Sequence, residues 1–190
     1  MPADGSFQIK EYYPLGVGST WHYQDTASNN HEFDLKVTEQ TTVSGINGPA
    51  FRVAKLETED FDVLTCDDQG LRLHIKRDKN GTIPWAPGVT FAAAAAKVGD
   101  AFTSLPDYRN PGTGNQMQWI VKAVKFCDIT VPAGTFKNCV QLNISVKDEK
   151  LGTKFASVDM WLARGVGMVK RQGQFFGQYF VQLLLRDSIK

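Results

Sequence analysis

Hydrophobic and polar residues alternate along several segments of this chain, and this alternation restricts the fold more than any other feature. In the segment GLRLHIK, Leu71, Leu73 and Ile75 alternate with charged or histidine side chains. The same period of two recurs in residues 33–43 and 139–147. Successive side chains of a β-strand point to opposite faces, so each segment predicts a strand with one buried face. Such strands are typical of antiparallel sheets, and the sequence predicts an all-β fold of about nine or ten strands with little helix.

Three segments depart from simple alternation. Residues 175–186 are apolar on both faces, so we expect this strand to lie centrally in the sheet or under a covering loop. The alanine-rich residues 91–98 favour helix, but so short a run is marginal without tertiary contacts. Residues 80–91 contain two prolines and Trp85, and we expect a loop that crosses the surface or an opening.

The length of 190 residues fits a single β domain over residues 1–190. Three short segments recur in the same order; for example, Val17–Trp21 (VGSTW) resembles Val98–Phe102 (VGDAF). This order is compatible with an internal repeat of residues 14–90 and 95–186, which would form two similar halves. The other interpretation is that unrelated hairpins share the same turn chemistry.

The charge pattern argues against two classes of partner. The formal net charge is +1, and no basic block occurs, so we expect no nucleic-acid partner. The longest apolar run, residues 91–96, is too short to span a bilayer, and we expect a chain that does not span a membrane. The first ten residues lack the pattern of a signal peptide. The protein is therefore either cytoplasmic or a mature domain whose signal segment is absent from this sequence.

The segment FCDITVPAGTFKNC predicts a hairpin with a Pro-Ala-Gly turn. Centring the turn on Ala133 pairs Cys127 with Cys139, Phe126 with Val140, and Val124 with Leu142. Two interpretations of the cysteines remain open, a cross-strand disulfide or two separate thiols. Two thiols supply only half of a zinc site, and no other motif supplies the rest, so we expect no metal here.

Catalytic and cofactor motifs are missing from the sequence. It has no GxSxG nucleophile elbow, and GVGST lacks the lysine of a phosphate-binding loop. The acids around Asp60 and Asp68 are interpreted as solvated strand ends, and His22 and His74 as solvated strand histidines. We therefore expect no catalytic residues and no cofactor, although the absence of motifs leaves enzymatic activity open.

Five aromatic residues are candidate ligand contacts. The five are Trp21, Tyr23, Trp85, Trp119 and Trp161. Several of them fall on the face opposite to the main apolar one, as Trp119 does in its predicted hairpin. Either this second face is an ordinary core layer covered by loops, or it lines a concave apolar cavity.

The segments YYPLGVGSTWHY, VPAGTFKNC and WLARGVGMVK together resemble a broad group of bacterial cell-envelope proteins. The matching residues are Tyr13, Pro14, Leu15, Gly18, Trp21 and Tyr23; Val131, Pro132, Ala133, Gly134, Phe136 and Cys139; and Trp161, Gly165, Val166, Gly167, Val169 and Lys170. The resemblance implies a secreted or lipid-anchored precursor and a strongly curved antiparallel sheet, a half-barrel or open barrel like those of the LolA and LolB lipoprotein carriers. It transfers no catalytic residues, and Cys66 and Cys127 lie outside the shared pattern.

Two hypotheses follow from these features. The first is a non-enzymatic periplasmic or outer-envelope protein that binds a lipid, an acyl chain or an acylated partner in its concave face. The second is a structural or protein-interaction module of the envelope without a small-molecule ligand, which would use a strand edge or an aromatic patch around Trp85 to bind an envelope protein.

Overall fold

The computed structural model describes residues 4–110 and 112–190. In these residues the chain forms fourteen strands and one helical turn, so the all-β prediction is confirmed and the predicted strand number was too low. The helical turn is α1 (Ile9–Tyr12). The strands are β1 (Ser6–Gln8), β2 (Thr20–Asp25), β3 (His31–Thr41), β4 (Ala50–Lys55), β5 (Phe61–Asp67), β6 (Gly70–Asp78), β7 (Gly81–Ala92), β8 (Ala95–Lys97), β9 (Ala101–Ser104), β10 (Met117–Val131), β11 (Gly134–Asp148), β12 (Lys154–Ala163), β13 (Gly167–Phe175) and β14 (Gln178–Ser188).

Twelve strands form one antiparallel sheet that curls into a nearly closed barrel. Their order is β7-β6-β5-β4-β3-β2-β14-β13-β12-β11-β10-β9, so two six-stranded meanders join through β2 and β14. The outer strands β7 and β9 meet at a seam, where the Thr90 amide donates to Ser104 Oγ (2.9 Å) and the Asp107 amide donates to the Ala86 carbonyl (2.7 Å). These bonds do not amount to a strand ladder between the described parts of β7 and β9, which leaves one unsealed seam. The predicted strongly curved sheet is confirmed, whereas the internal repeat stays a prediction.

The two ends of the barrel differ because antiparallel neighbours place alternate turns at opposite ends. The turns after β2, β4, β6, β11 and β13 and the end of β9 lie at one end, which we call the open end. At the other end, the closed end, α1 packs its buried Ile9 and Tyr12 against the barrel. There the Gly165 amide donates to the Glu11 carbonyl (2.6 Å), and Lys10 Nζ lies 2.6 Å from Asp68 Oδ1. The N-terminal segment therefore caps this end.

The hairpin of β10 and β11 also contributes to the closed end. Cys127 pairs with Cys139 and Phe126 with Val140, as predicted, but Ala123 rather than Val124 pairs with Leu142. Val124 is an extra residue in the strand, a β-bulge, and a second register shift separates Cys127 from Ile129. Because bulges bend the strand that carries them, the tip can reach β14, where the Ala133 amide donates to the Leu184 carbonyl (3.0 Å).

One expectation for residues 80–91 was wrong. Residues 81–92 form strand β7 and not a loop, because prolines are tolerated at a sheet edge, where no neighbour needs their missing N–H. Pro84 pairs with Ile75 and Val89 with Leu73, so the four residues between them bulge out of the ladder. The alanine-rich run is divided between the end of β7 and strand β8, which pairs with β1. Tertiary pairing thus overrides a weak helix preference.

The strand with two apolar faces lies where the sequence predicted it. β14 occupies a central position between β13 and β2. Its inward-facing Leu184 is fully buried, whereas Val181 and Leu183 on the outer face are only half-buried. In the described residues no helix is long and apolar enough to cross a bilayer.

Candidate ligand-binding cavity

The interior of the barrel contains a cavity of about 310 Å³. Side chains from β3 to β7 form one wall, and side chains from β10 to β14 form the other. The apolar lining residues are Leu35, Val53, Leu64, Leu71, Leu73, Phe91, Trp119, Ile144, Val158, Met160, Met168, Phe175 and Phe180. Each belongs to a strand whose inward residues recur with a period of two. Leu71, Leu73 and Ile144 lie on the main apolar face of their strands, so that face, and not the second face considered from the sequence, lines the inside of a barrel that is not completely filled.

Five polar or amphipathic side chains complete the lining: Tyr13, Asp62, Lys76, Arg171 and Gln178. Asp62 and Lys76 are directly paired across β5 and β6, with Nζ and Oδ1 3.6 Å apart, which is longer than a hydrogen bond. Both side chains are about two-fifths exposed, at 41% and 36%. Gln178, the first residue of β14, is exposed. The cavity therefore reaches solvent at the open end.

Arg171 is held in the cavity wall by its neighbours on β14. Its Nε and Nη2 donate to Gln182 Oε1 at 3.1 and 2.6 Å, and its guanidinium carbon lies 5.0 Å from the centroid of the Phe180 ring. Among the described residues its Nη1 has no hydrogen-bond partner. Arg171 is thus fixed in position with donor capacity to spare.

Tyr13 lies close enough to the charged residues for their fields to act on it. Burial raises the pKa of Tyr13, the Asp62 carboxylate raises it further, and Arg171 opposes the shift. Its hydroxyl therefore stays protonated at neutral pH and can donate a hydrogen bond.

Trp119 is the one predicted aromatic contact that borders the cavity. Its ring is 5% exposed, and its Nε1 has no hydrogen-bond partner in the described part of the chain. Trp119 pairs with Val146 on the inner face, contrary to the predicted face, because the bulge at Val124 reverses the alternation between the two halves of β10. An unpaired, buried indole N–H beside a cavity is a donor available to a ligand.

The other four predicted contacts make structural interactions and are not among the lining residues of this cavity. Trp21 Nε1 donates to the Val166 carbonyl (2.6 Å), and the Tyr23 hydroxyl donates to the Met168 carbonyl (2.6 Å). Trp85 is buried at the seam, with its centroid 4.7 Å from that of Tyr108 and 5.4 Å from that of Trp119. The ring of Trp161 is covered by Lys170 at 4.9 Å. A ligand role for these four remains a prediction.

The thiols of Cys66, Cys127 and Cys139 are free in the structure. Cys127 and Cys139 are cross-strand partners as predicted, and Cys139 is fully buried. Burial raises the pKa of Cys139 to about 11, and the neighbouring Cys127 adds to the shift. The Cys139 thiol is therefore weakly nucleophilic and adjacent to Cys127, and the oxidation of the pair stays a prediction.

The interpretation of His22 and His74 as solvated residues was wrong. His22 is buried between two carboxylates, with Nδ1 2.8 Å from Asp34 and Nε2 2.8 Å from Glu32. His74 is 3% exposed, and its Nε2 lies 3.0 Å from Thr65 Oγ1. Across residues 4–110 and 112–190, no three His, Cys, Asp or Glu side chains converge in a way that could hold a metal ion.

Sequence reasoning missed the charged residues of the cavity. Asp62 was interpreted as a solvated strand end, and Lys76 and Arg171 were not singled out. One signal was present, because Arg171 is in phase with the apolar Phe175 on β13, so a strand alternation places a cation on the inner face. A charge in phase with core residues often marks a site.

Three solved structures are similar to this chain, and one of them, with a TM-score above 0.5, supports the fold. The hypothetical lipoprotein YmcC of Escherichia coli K12 matches with a TM-score of 0.51 and 10% identity, over 91% of this chain and 86% of that one. A proposed exported protein with a YmcC-like fold from Bacteroides fragilis has a TM-score of 0.46 and 13% identity, over 93% and 98%. A proposed lipoprotein of Parabacteroides distasonis has a TM-score of 0.39 and 16% identity, over 93% and 97%. No protein-family model and no curated protein sequence matches the chain. At these identities the likeness concerns the fold alone.

Proposed function

We propose that this protein is a non-enzymatic, extracytoplasmic protein that binds one apolar chain inside its barrel. The observation that carries the proposal is the cavity of about 310 Å³, which has an apolar wall and polar groups toward the open end. Most binding pockets for small molecules combine an apolar lining with a few polar groups that orient the ligand. The apolar chain of the ligand would belong either to a free lipid-like molecule or to an acylated partner.

The volume limits the ligand to a single chain. A water-sized group occupies about 30 Å³, so about ten such groups fit into the cavity. A saturated chain of about ten carbons would fill it, and two chains of that length would not fit. A longer chain would have to leave part of its length outside the open end.

An extracytoplasmic location is supported by two observations. The three motifs of the sequence resemble those of cell-envelope proteins, and the solved structures reported above are described as lipoproteins or as an exported protein. Neither observation identifies the compartment, so a periplasmic or outer-envelope position is part of the proposal.

Native mass spectrometry tests the proposed binding. The protein is incubated with an equimolar mixture of single-chain alcohols, fatty acids and amines from C6 to C18. We expect one adduct per protein, with the best retention near ten carbons. The absence of any chain adduct would contradict the proposal.

Two matched variants separate binding in the cavity from adsorption to the surface. Val158→Phe places a larger ring in the cavity, since Val158 lines it and is 4% exposed. Val124→Phe adds the same ring to the exposed bulge of β10, where Val124 is 36% exposed. We expect adduct formation to be lost in Val158→Phe and kept in Val124→Phe, while far-UV circular dichroism shows that both are folded. Equal binding by the two variants would place the ligand elsewhere.

A second function, interaction with an envelope protein, is favoured by apolar residues at the open end. Five exposed side chains lie on or beside its turns: Leu56, Leu105, Leu151, Phe176 and Tyr179. Trp85, the predicted centre of such a patch, is buried instead. A photo-cross-linking residue at position 179 should capture a defined partner that the same residue at the exposed position 17, near the closed end, does not. Identical capture from both positions would exclude this surface.

A further inference from the structure

The charged side chains of the cavity suggest which head group its ligand carries. The charged lining residues are Asp62, Lys76 and Arg171. Two cations and one carboxylate leave a net charge of +1 on the wall. A ligand with one negative charge would compensate it, whereas a neutral or cationic ligand would leave the partly buried positive charge without a partner.

The uncharged polar groups of the cavity are mostly hydrogen-bond donors. The Trp119 indole and the Tyr13 hydroxyl can both donate, and the Gln178 amide can donate or accept. The Trp119 N–H is buried without a partner among the described residues. A set of donors with few acceptors suits a ligand group that only accepts hydrogen bonds, as an ionised carboxylate does.

Arg171 is the best-placed anchor for such a group. Gln182 fixes its guanidinium through Nε and Nη2, and the Phe180 ring supports it at 5.0 Å. Among the described residues, Nη1 has no hydrogen-bond partner, so its donors remain free to bind a ligand. Because the side chain is already held in place, binding costs little additional side-chain entropy.

We propose that the cavity selects a single-chain amphiphile with an anionic carboxylate head, which Arg171 binds and Lys76 assists from the opposite wall, while the chain lies among Leu64, Ile144 and Met160. This inference rests on the proposed function, since it requires a chain in the cavity. The head lies toward the open end, where Lys76 and Asp62 are partly exposed.

Asp62 limits the side from which a carboxylate head can approach, because like charges repel. Its Oδ1 has no hydrogen-bond partner in the described chain, and Lys76 is its nearest cation, at 3.6 Å. A carboxylate head has to approach from the side of Arg171 and Lys76. An amine head would instead pair with Asp62 and be repelled by Arg171 and Lys76, so the three charges make opposite predictions for the two head groups.

Isothermal titration calorimetry with decanoate, decanol and decylamine tests the inference. These probes share one chain length and differ in head charge. For the wild-type protein we expect decanoate to bind at least about tenfold more tightly than decanol, the effect of one charge-assisted hydrogen bond, and decylamine to bind most weakly. Equal affinities, or a preference for decylamine, would overturn the head-group inference and leave chain binding intact. Failure of all three probes to bind would refute the proposed function itself.

A pair of Arg→Gln variants assigns the preference to its residue. Arg171→Gln should lose the preference for decanoate over decanol. Arg52→Gln is the matched control, because Arg52 stacks on Phe61 at 4.1 Å and is not a lining residue. A preference that survives in Arg171→Gln, or that is lost equally in Arg52→Gln, would contradict the role of Arg171. Urea unfolding of both variants verifies that they remain folded.

Discussion

Replacement of Tyr23 by phenylalanine tests whether this residue stabilises the barrel or contacts a ligand. Tyr23 is 1% exposed, its ring stacks on Phe33 with the centroids 5.5 Å apart, and its hydroxyl donates to the buried Met168 carbonyl. The bond links β2 to β13, two strands that are not neighbours in the sheet. Phenylalanine keeps the ring and leaves the carbonyl without this donor, which costs about 1–3 kcal/mol.

Urea and thermal unfolding measure this loss. We expect the free energy of unfolding to fall by about 1–3 kcal/mol with an unchanged m-value. For a chain of this size each 1 kcal/mol corresponds to about 2–4 °C, so the melting temperature should fall by about 2–12 °C. Tyr179→Phe is the control, because Tyr179 is 62% exposed, and its effect should stay within about 0.5 kcal/mol. Wild-type stability of Tyr23→Phe together with weaker chain binding would refute the structural role.

Two further predictions concern the cysteines and His22. Under oxidising conditions Cys127 and Cys139 should form a disulfide, so a denatured, oxidised sample should contain one free thiol per chain and a reduced sample three; three in both would contradict the pairing. For His22, burial is the strongest influence and opposes protonation, but the bonds to Glu32 and Asp34 outweigh it and raise the pKa above 6.5. A pKa that is raised in the folded state stabilises the protein, and this stabilisation is complete at pH values below the unfolded pKa of 6.5. It is lost as the pH rises through the pKa of the folded state. The difference in unfolding free energy between the wild type and His22→Gln should therefore shrink from about pH 5.5 to pH 8.5, and a difference that grows would contradict the assignment.

The class of fold could be predicted because the alternation of apolar and polar residues in the strands is visible in the sequence. Alternation in residues 71–76 and 139–147 corresponds to β6 and β11, and the doubly apolar β14 is central as expected. The pairing of Cys127 with Cys139 followed from the turn and the hydrophobic pattern. These features are local, so a single sequence contains them.

The irregular parts of the fold could not be predicted, because they depend on distant strands. Residues 81–92 resemble a loop by composition, yet they form β7 because the sheet ends there and tolerates proline. His74 is buried because its strand lies beneath the bulge at residues 85–88. Barrel closure, which creates the cavity, depends on contacts at the β7–β9 seam that no local pattern encodes.

One extra residue, Val124, explains why the face of Trp119 was wrongly predicted from the sequence and how two parts of β10 serve different ends of the barrel. A bulge there places Phe126 in phase with Val140 and, at the same time, Trp119 in phase with Val146. A regular strand would turn one of these two aromatic side chains outward. With the bulge, Trp119 faces the cavity while Phe126 packs on Phe7 at the closed end, 6.1 Å between centroids. The same residue thus helps to cap one end of the barrel and to line its interior, which leaves the open end, near Lys76 and Gln178, as the route by which a ligand would enter.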